Sequence, residues 1–503
     1  MCQEQGYETH WIKASDLIRD WHAEQNGGAV LEKATRTLGT VTQLQDLGDN
    51  MRAKDPAGVA KAIMRKIARL RAQKTGQHYS PGAAVIPDDK KRVYLIDSIR
   101  HPAEIHLLRR TYGNSFALVG VVCEEEERKR RILGKYFTVP EGKDPAVTES
   151  VDAFIRRDSD DPANKHGQHV ADAFFEADFF IDNSTSDEDD RQQLLDTDLG
   201  RLLSIISHER IVRPTIEESA MHHAHSARVR SACLSRQVGA ALVDRDGTVV
   251  ATGTNEVPAA GGGVYGERFL GESKRYVDHR CAFRPEKICS SNVEQNGIID
   301  ELISGIEELS VVSDRVALAA RIRKTRLGGL IEFSRAVHAE MDALLSAGRE
   351  GVSTIGTRLF VTTFPCHYCA RHIVSAGVYE VQFIEPYPKS LAIKLHSDAI
   401  EVNPSRWVSP ELAGFDDVRS RSESKKGIGP TQEPVNYDSG KVLFKPFVGI
   451  APRAYVRAFE KTWQLKDKTS GELKLTPPEW GSEWATLTVG YPELEALLAK
   501  SGG

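Results

Sequence analysis

Two short segments constrain the fold of this chain more than any others: His338-Ala339-Glu340, and Pro365-Cys366-His367-Tyr368-Cys369. Zinc binds a small set of nitrogen and sulfur ligands, and a catalytic zinc keeps one of its four positions for water. His338, Cys366 and Cys369 supply three ligands, so the fold must carry both segments to a single point. Glu340, two residues past the histidine, is placed to reach a metal-bound water without ligating the metal. A structural zinc would need a fourth protein ligand and has no use for that carboxylate. A redox Cys-x-x-Cys pair would need neither the histidine nor the glutamate.

The surrounding pattern places both segments at helix starts. Val337 to Ala347 reads as a helix ending at Gly348, and Cys366 to Ala376 as a second ending at Gly377. Arg358 to Thr363 (RLFVTT) and Val378 to Glu385 (VYEVQFIE) read as strands. Unpaired amides at helix N-termini favour anionic thiolates and lower their pKa. Upstream, Gln237 to Val243 and Thr248 to Thr254 flank Asp244-Arg245-Asp246-Gly247, which is hairpin chemistry. Pro214 to Ser235 reads as a helix with Glu217 and Glu218 in its first turn. Its His222, His223 and His225 fit an exposed face better than a metal site. A polar insertion runs from about Pro258 to Leu327, begins with Gly261-Gly262-Gly263, and holds His279, Cys281 and Cys289. With Cys233 these could hold a second, structural zinc, although ordinary thiols explain them as well.

At 503 residues, two or three domains are expected. Hydrophobic content of 40%, charged content of 27% and a net charge of −5 suit a soluble globular protein with a small-molecule substrate better than one living on nucleic acid. No apolar run reaches the ~18 residues of a membrane span. The opening MCQEQGYETHWIK lacks the apolar run of a signal peptide. Seven cysteines, an odd and sparse set, point to a reducing compartment, so a cytoplasmic location is expected.

Residues 1 to about 205 alternate between helix and strand patterns, which suggests a parallel sheet. Ala53 to Gln73 and His101 to Tyr112 read as helices; Val93 to Asp97, Ser115 to Cys123 and Ala177 to Ile181 read as strands. The charges of Glu124 to Arg131, and those at Arg156 to Asp161, read as solvated faces. This segment resembles the P-loop nucleoside monophosphate kinases: VYLIDSIRHPAE is similar to their strand-3 carboxylate region, RKRR to their lid, and ADFFIDNS to a late strand. Their G-x-x-x-x-G-K-[ST] loop is absent, and THWIKASDLI is similar to the segment that follows it. Either that loop lies upstream of Met1 or the domain has lost it. No kinase activity is expected, and the half is read as scaffold or sensor. The acidic Asp187 to Arg191 suggests a boundary near 205, a second domain over 206–460 and a tail over 461–503, with Arg419 to Lys426 in a linker.

The pattern H-x-E…P-C-x-x-C is the signature of zinc-dependent nucleobase deaminases. Residues 219 to 400 resemble the deoxycytidylate deaminase branch of the cytidine deaminase superfamily, through SRQVGAALVDRDGTVVATGTNEVP, HAEMDAL and LFVTTFPCHYCARHIVSAGVYEVQFIEPYPKS. The resemblance implies an α/β/α sandwich around a mixed five-stranded sheet, preceded by the kinase-like α/β domain. It implies hydrolytic conversion of dCMP, and of dCTP as a further candidate, to the uracil nucleotide and ammonia, with Glu340 shuttling protons. It implies that Asn255 holds the sugar hydroxyl and the backbone near Ala339 the base, with Arg236 and Tyr387 on the phosphate side. The family's hairpin usually ends G-Y-N-G; here it reads Gly253-Thr254-Asn255-Glu256, which leaves triphosphate sensing in doubt. The two-part layout resembles the larger deaminases of bacterial anti-phage systems (the AvcD type). That implies depletion of deoxycytidine nucleotides during infection, a homo-oligomer, and restraint by an inhibitory RNA or a regulatory ligand.

Two other functions remain compatible with the residues. A polynucleotide deaminase would take a flipped or single-stranded base, and Tyr265, Phe269, Tyr276 and Phe283 stand among basic residues of the insertion as its stacking candidates. A regulatory binding protein would use the kinase-like half to control the other.

Overall fold

The computed structural model describes residues 2–27, 37–88, 90–159, 166–167, 169–207, 210–266, 277–387, 390–409, 440–460, 466–473 and 490–500. Phe269, Tyr276 and the expected linker Arg419 to Lys426 lie outside these residues. The chain forms two compact units, Met1–Arg213 together with Val448–Gly503, and Pro214–Phe447.

The division differs from the expected one at both ends. The acidic stretch near 190 does not interrupt the chain: Glu188, Asp189 and Asp190 occupy the first turn of a helix, Glu188–Ser207, where the helix dipole favours negative charge. The residues after 447, expected to close the deaminase region, return to the first unit instead, where Gly449–Ile450 pairs antiparallel with Phe179 and Phe180.

In the first unit, strand β1 (Glu8–Lys13) runs directly into helix α1 (Ala14–Gln25) and is followed by α2 (Leu38–Lys54) and α3 (Gly58–Thr75). Strand β2 (Arg92–Asp97) pairs parallel with β1. Next come α4 (Pro102–Tyr112), β3 (Val119–Val122), α5 (Glu125–Tyr136), α6 (Pro145–Ser159), α7 (Val170–Phe175), β4 (Phe179–Asp182) and α8 (Glu188–Ser207). β3 pairs parallel with β4, so the alternating pattern yields parallel pairing as expected, divided between two small sheets. Ile12, Ile63, Met64, Ile105 and Leu108 form the core around α3.

The second unit opens with α9 (Ile216–Val229). The Thr215 hydroxyl accepts the Glu218 N–H and the Glu218 carboxylate accepts the Thr215 N–H, a capping box that starts the helix after Pro214 rather than at it. β5 (Gly239–Val243) and β6 (Val249–Thr254) form the expected hairpin, turned at Gly247 with φ +88° and closed by Asp244 accepting the Asp246 and Thr248 amides. The insertion contains α10 (Ser290–Gly305), α11 (Glu307–Ser310) and α12 (Arg315–Arg323). Then follow α13 (Ala339–Arg349), β7 (Arg358–Thr363), α14 (His367–Ser375), β8 (Glu380–Glu385), α15 (Ala392–Leu395), β9 (Ile400–Glu401) and β10 (Val442–Pro446), while Gly449–Ile450 is β11 of the first unit.

The second unit's sheet has the order β6-β5-β7-β8-β10-β9, antiparallel through β6-β5-β7 and parallel from β7 onward. It is mixed, as expected, with the two-residue β9 as a sixth strand. Small residues set the layer spacing. A Cβ on Gly239 would stand 2.0 Å from the Ala224 carbonyl of α9, and one on Gly253 would stand 2.1 Å from the Ala339 carbonyl of α13. Gly253 pairs with Ala240, the strand neighbour of Gly239, so the two glycines serve opposite faces. Helices therefore cover both faces, and Ala339, Ala343 and Ala347 bring α13 close to the sheet. Leu242, Leu359, Val361, Val381 and Ile373 complete this core, each contributing about 1.5–3 kcal/mol by burial.

Candidate metal centre and active site

The ligand atoms meet beyond the carboxyl end of β7. His338 and Cys366 stand at the N-caps of α13 and α14, with extended backbones and side chains that make no capping bond. Each side chain is thus left to point at the other helix, and Cys369 joins from the first turn of α14. The His338 Nδ1 lies 3.3 Å from the Cys366 Sγ and 3.4 Å from the Cys369 Sγ. Tetrahedral zinc with ordinary Zn–N and Zn–S bonds needs such edges near about 3.5 Å. This donor set therefore fits zinc, and among the described residues no other His/Cys/Asp/Glu group is close enough to hold a metal.

Neighbouring contacts fix the two ligand loops. Val337, just before His338, exchanges two backbone hydrogen bonds with Glu256, at 3.0 and 3.1 Å. The Asp342 carboxylate on α13 accepts the Thr254 N–H at 3.1 Å, on the free side of edge strand β6. On the cysteine side, Phe364 N–H donates to the Glu385 carbonyl at 2.6 Å, and the Ser390 hydroxyl donates to the Pro365 carbonyl at 2.8 Å.

The three side chains shift one another's pKa values in opposite directions. Hydrogen bonding from the Cys369 thiol, aided by His338, lowers Cys366 to about 4. The Cys369 thiol, bonded to that thiolate and buried, is raised well above its usual value. The hydrogen bond with Cys366 raises His338 to about 9. Helix position alone predicts two lowered thiols; only Cys366 follows, because the hydrogen bond with Cys366 and burial push Cys369 the other way. Glu340 is 4% exposed, and burial raises its carboxyl to about 7.

Comparison with known proteins agrees with this geometry. The model of the cytidine and deoxycytidylate deaminase zinc-binding region matches residues 214–385. The deoxycytidylate deaminase of Enterobacteria phage T4 is 30% identical over 166 residues, 32% of this chain and 72% of that protein. The chain belongs to the cytidine and deoxycytidylate deaminase family. ComE operon protein 2 of Bacillus subtilis (strain 168) is 34% identical over 85 residues, 17% of this chain and 42% of that protein. A structure of the dCMP deaminase of cyanophage S-TIM5 with dCMP and dUMP is 21% identical, covering 37% of this chain and 93% of that one, at a TM-score of 0.22, too low to establish a shared architecture. The family match falls wholly within the second unit, which is that of a hydrolytic deaminase.

Of the family's expected substrate residues, Ala339 is fully buried beneath Gly253. The Asn255 carboxamide accepts the Val238 N–H at 2.6 Å and donates to the Arg236 carbonyl at 2.7 Å. One donor hydrogen and one lone pair remain to it for a substrate. Arg236 and Tyr387 come together, with the guanidinium 5.8 Å from the ring centroid and 3.8 Å from Glu385. Tyr387 is half-buried, and its hydroxyl is raised by burial and by the nearby Cys366.

The second zinc set is corrected: the structure does not bring His279, Cys281 and Cys289 together. Cys281 begins a short 3-10 turn with its Sγ 3.8 Å from Arg335, and Cys289 occupies the N-cap position of α10 without a side-chain capping bond, its Sγ 4.0 Å from the Ser235 hydroxyl. The His279 ring meets the Tyr265 ring edge-on instead. Of the stacking candidates, Phe283 is exposed, with the Arg280 guanidinium 4.6 Å from its ring. His222, His223 and His225 lie on α9 and form no metal group. Sequence reasoning missed Asp342, although a charge on a stripe of Ala339, Ala343 and Ala347 is a visible signal, and it saw in Glu256 only a departure from a motif.

Proposed function

We propose that the Pro214–Phe447 unit hydrolyses deoxycytidine nucleotides, dCMP first and dCTP second, to the deoxyuridine nucleotide and ammonia. The observation that carries this reading is the convergence of His338, Cys366 and Cys369 beside a buried Glu340 carboxylate. Zinc held by these three residues supplies the Lewis acidity that activates water at neutral pH. Glu340 takes a proton from the attacking water and delivers it to ring N3 while the oxygen joins C4. The same side chain then carries the proton of the new C4 hydroxyl to the exocyclic nitrogen, and the C4–N4 bond breaks as ammonia leaves. One carboxylate thus serves as base and then as acid. Arg236 beside Tyr387 is the cationic group offered to the phosphate, and Asn255 the group offered to the sugar.

Relatives named deoxycytidylate deaminase, from phages T4 and T2, support the choice of substrate. The layout resemblance to anti-phage deaminases supports depletion of deoxycytidine nucleotides during infection, restrained by an RNA or a regulatory ligand; the sparse, odd set of cysteines supports a cytoplasmic location, and we read the chain as a homo-oligomer. The first unit then acts as scaffold or sensor, in keeping with a β1 that passes into α1 at Lys13–Ala14 without a glycine-rich turn.

The test is incubation of purified protein with dCMP, dCTP, CMP and single-stranded DNA while ammonia release is followed. Turnover of dCMP is expected. Release from DNA alone would overturn the reading in favour of a polynucleotide deaminase.

A further inference from the structure

Glu256 is a carboxylate buried to 1% exposure beside the active site, and the proposed chemistry gives it no part. One oxygen accepts the Ala232 N–H at 2.7 Å and the other accepts the Val257 N–H at 2.9 Å. Its own backbone forms the two-bond bridge to Val337, the residue before the ligand His338. Glu256 therefore touches two loops at once: by its side chain the segment after α9, and by its main chain the segment that delivers the histidine.

The segment after α9 has few ties of its own, since no helix or strand includes residues 231–238. Four side chains hold it. Besides Glu256, the Ser231 hydroxyl donates to the Asn255 carbonyl at 2.7 Å and accepts the Cys233 N–H at 3.2 Å. Asn255 fastens its far end at Arg236 and Val238. Gln237 folds back onto the Ser231 carbonyl at 2.6 Å, closing the loop on itself. The loop carries the Arg236 guanidinium beside Tyr387.

We infer that Glu256 is a positioning residue, one that fixes the Arg236 loop relative to the metal-ligand loop and so sets how tightly the nucleotide is held. The division of labour follows from which atoms do what. The bridge to Val337 uses main chain and survives a change of side chain, so the metal site stays formed. The hold on Ala232 uses the carboxylate and is lost when the side chain changes. In Glu256→Gln the amide nitrogen would face one of the two N–H groups, donor against donor, leaving a buried donor without an acceptor. Binding should weaken while the chemical step persists.

This inference rests on the deaminase reading, and the experiment separates the two. With the full chain, Glu256→Gln should raise KM for dCMP about tenfold while kcat stays within about twofold and zinc content is unchanged. Hydrogen exchange should quicken at 231–238 and stay unchanged over Ala339–Arg349. Ser231→Ala, a second strut of the same loop, should move KM in the same direction if the glutamine variant does not fold. Unchanged KM in both variants, or a fall in kcat or zinc content at unchanged KM, would overturn the positioning role. An inactive wild-type chain would instead refute the deaminase reading; exchange at 231–238 unchanged in the variants would then still overturn this one.

Discussion

Gly253 lies against Ala339 so closely that any side chain at residue 253 would enter the helix backbone: its Cβ would stand 2.1 Å from the Ala339 carbonyl oxygen and 2.4 Å from the Ala343 nitrogen. Backbone atoms cannot swing aside as a flexible side chain can. Gly253→Ala must therefore push β6 and the start of α13 apart, and that helix start carries His338 and Glu340. A displacement near 1 Å costs on the order of 100-fold in rate. Steady-state assays of the alanine variant should show such a loss in kcat, and a variant with near wild-type kcat would show that the contact is slack.

Glu340→Ala removes the carboxylate proposed to shuttle protons and leaves His338, Cys366 and Cys369, the side chains placed to hold zinc, in place. Zinc content measured by elemental analysis should match the wild type, while kcat falls by about 10²–10⁴ or more. Loss of metal in this variant would give Glu340 a part in holding it.

His101 predicts an acid-sensitive first unit. Burial, and then the charges of Arg52, His169 and His166, depress its pKa from 6.5 to about 4. The folded state thus keeps the ring neutral where the unfolded chain takes up a proton. Its stabilising effect is present above pH 6.5 and drains away as pH falls from 6.5 towards 4. The His101 Nδ1 also accepts the Ala103 N–H at the start of α4, a role asparagine can fill. His101→Asn should flatten the fall of Tm between pH 6.5 and 4.5, and an unchanged slope would clear His101 of the effect.

Arg71 and Glu495 form a buried ion pair at 2.7 Å, with side chains 3% and 1% exposed, and the Tyr112 hydroxyl donates to the same carboxylate at 2.5 Å. This pair fastens the helix Tyr491–Lys500 onto α3 inside the first unit. Glu495→Ala leaves a buried guanidinium uncompensated and should cost about 3–5 kcal/mol, read from chemical denaturation. A cost under about 1 kcal/mol would mean that the helix docks by its apolar contacts alone.

The convergence of His338, Cys366 and Cys369 was legible because it is local: the spacing puts both segments at helix starts, which bring the three side chains within reach of one another. The hairpin was legible for the same reason, as Asp244 and Gly247 state their turn directly. α9 ended early, at Val229 instead of Ser235, because residues 231–238 are claimed by Ser231, Asn255 and Glu256, contacts that no periodicity announces. The unit boundary escaped because the chain after Val448 returns to pair Gly449 with Phe180, a partner far away in sequence. Within the insertion, α12 buries none of its residues and α10 buries only Gln295, Ile299 and Ile303, so its polar composition outweighed a narrow apolar stripe.

The central claim is that zinc on His338, Cys366 and Cys369 enables Glu340 to deaminate dCMP, and its most direct test is the dUMP formation rate against zinc content. The account predicts that chelation abolishes turnover, that about one zinc per chain restores it, and that ammonia appears in step with dUMP. Undiminished dCMP turnover by protein stripped of its zinc would contradict it.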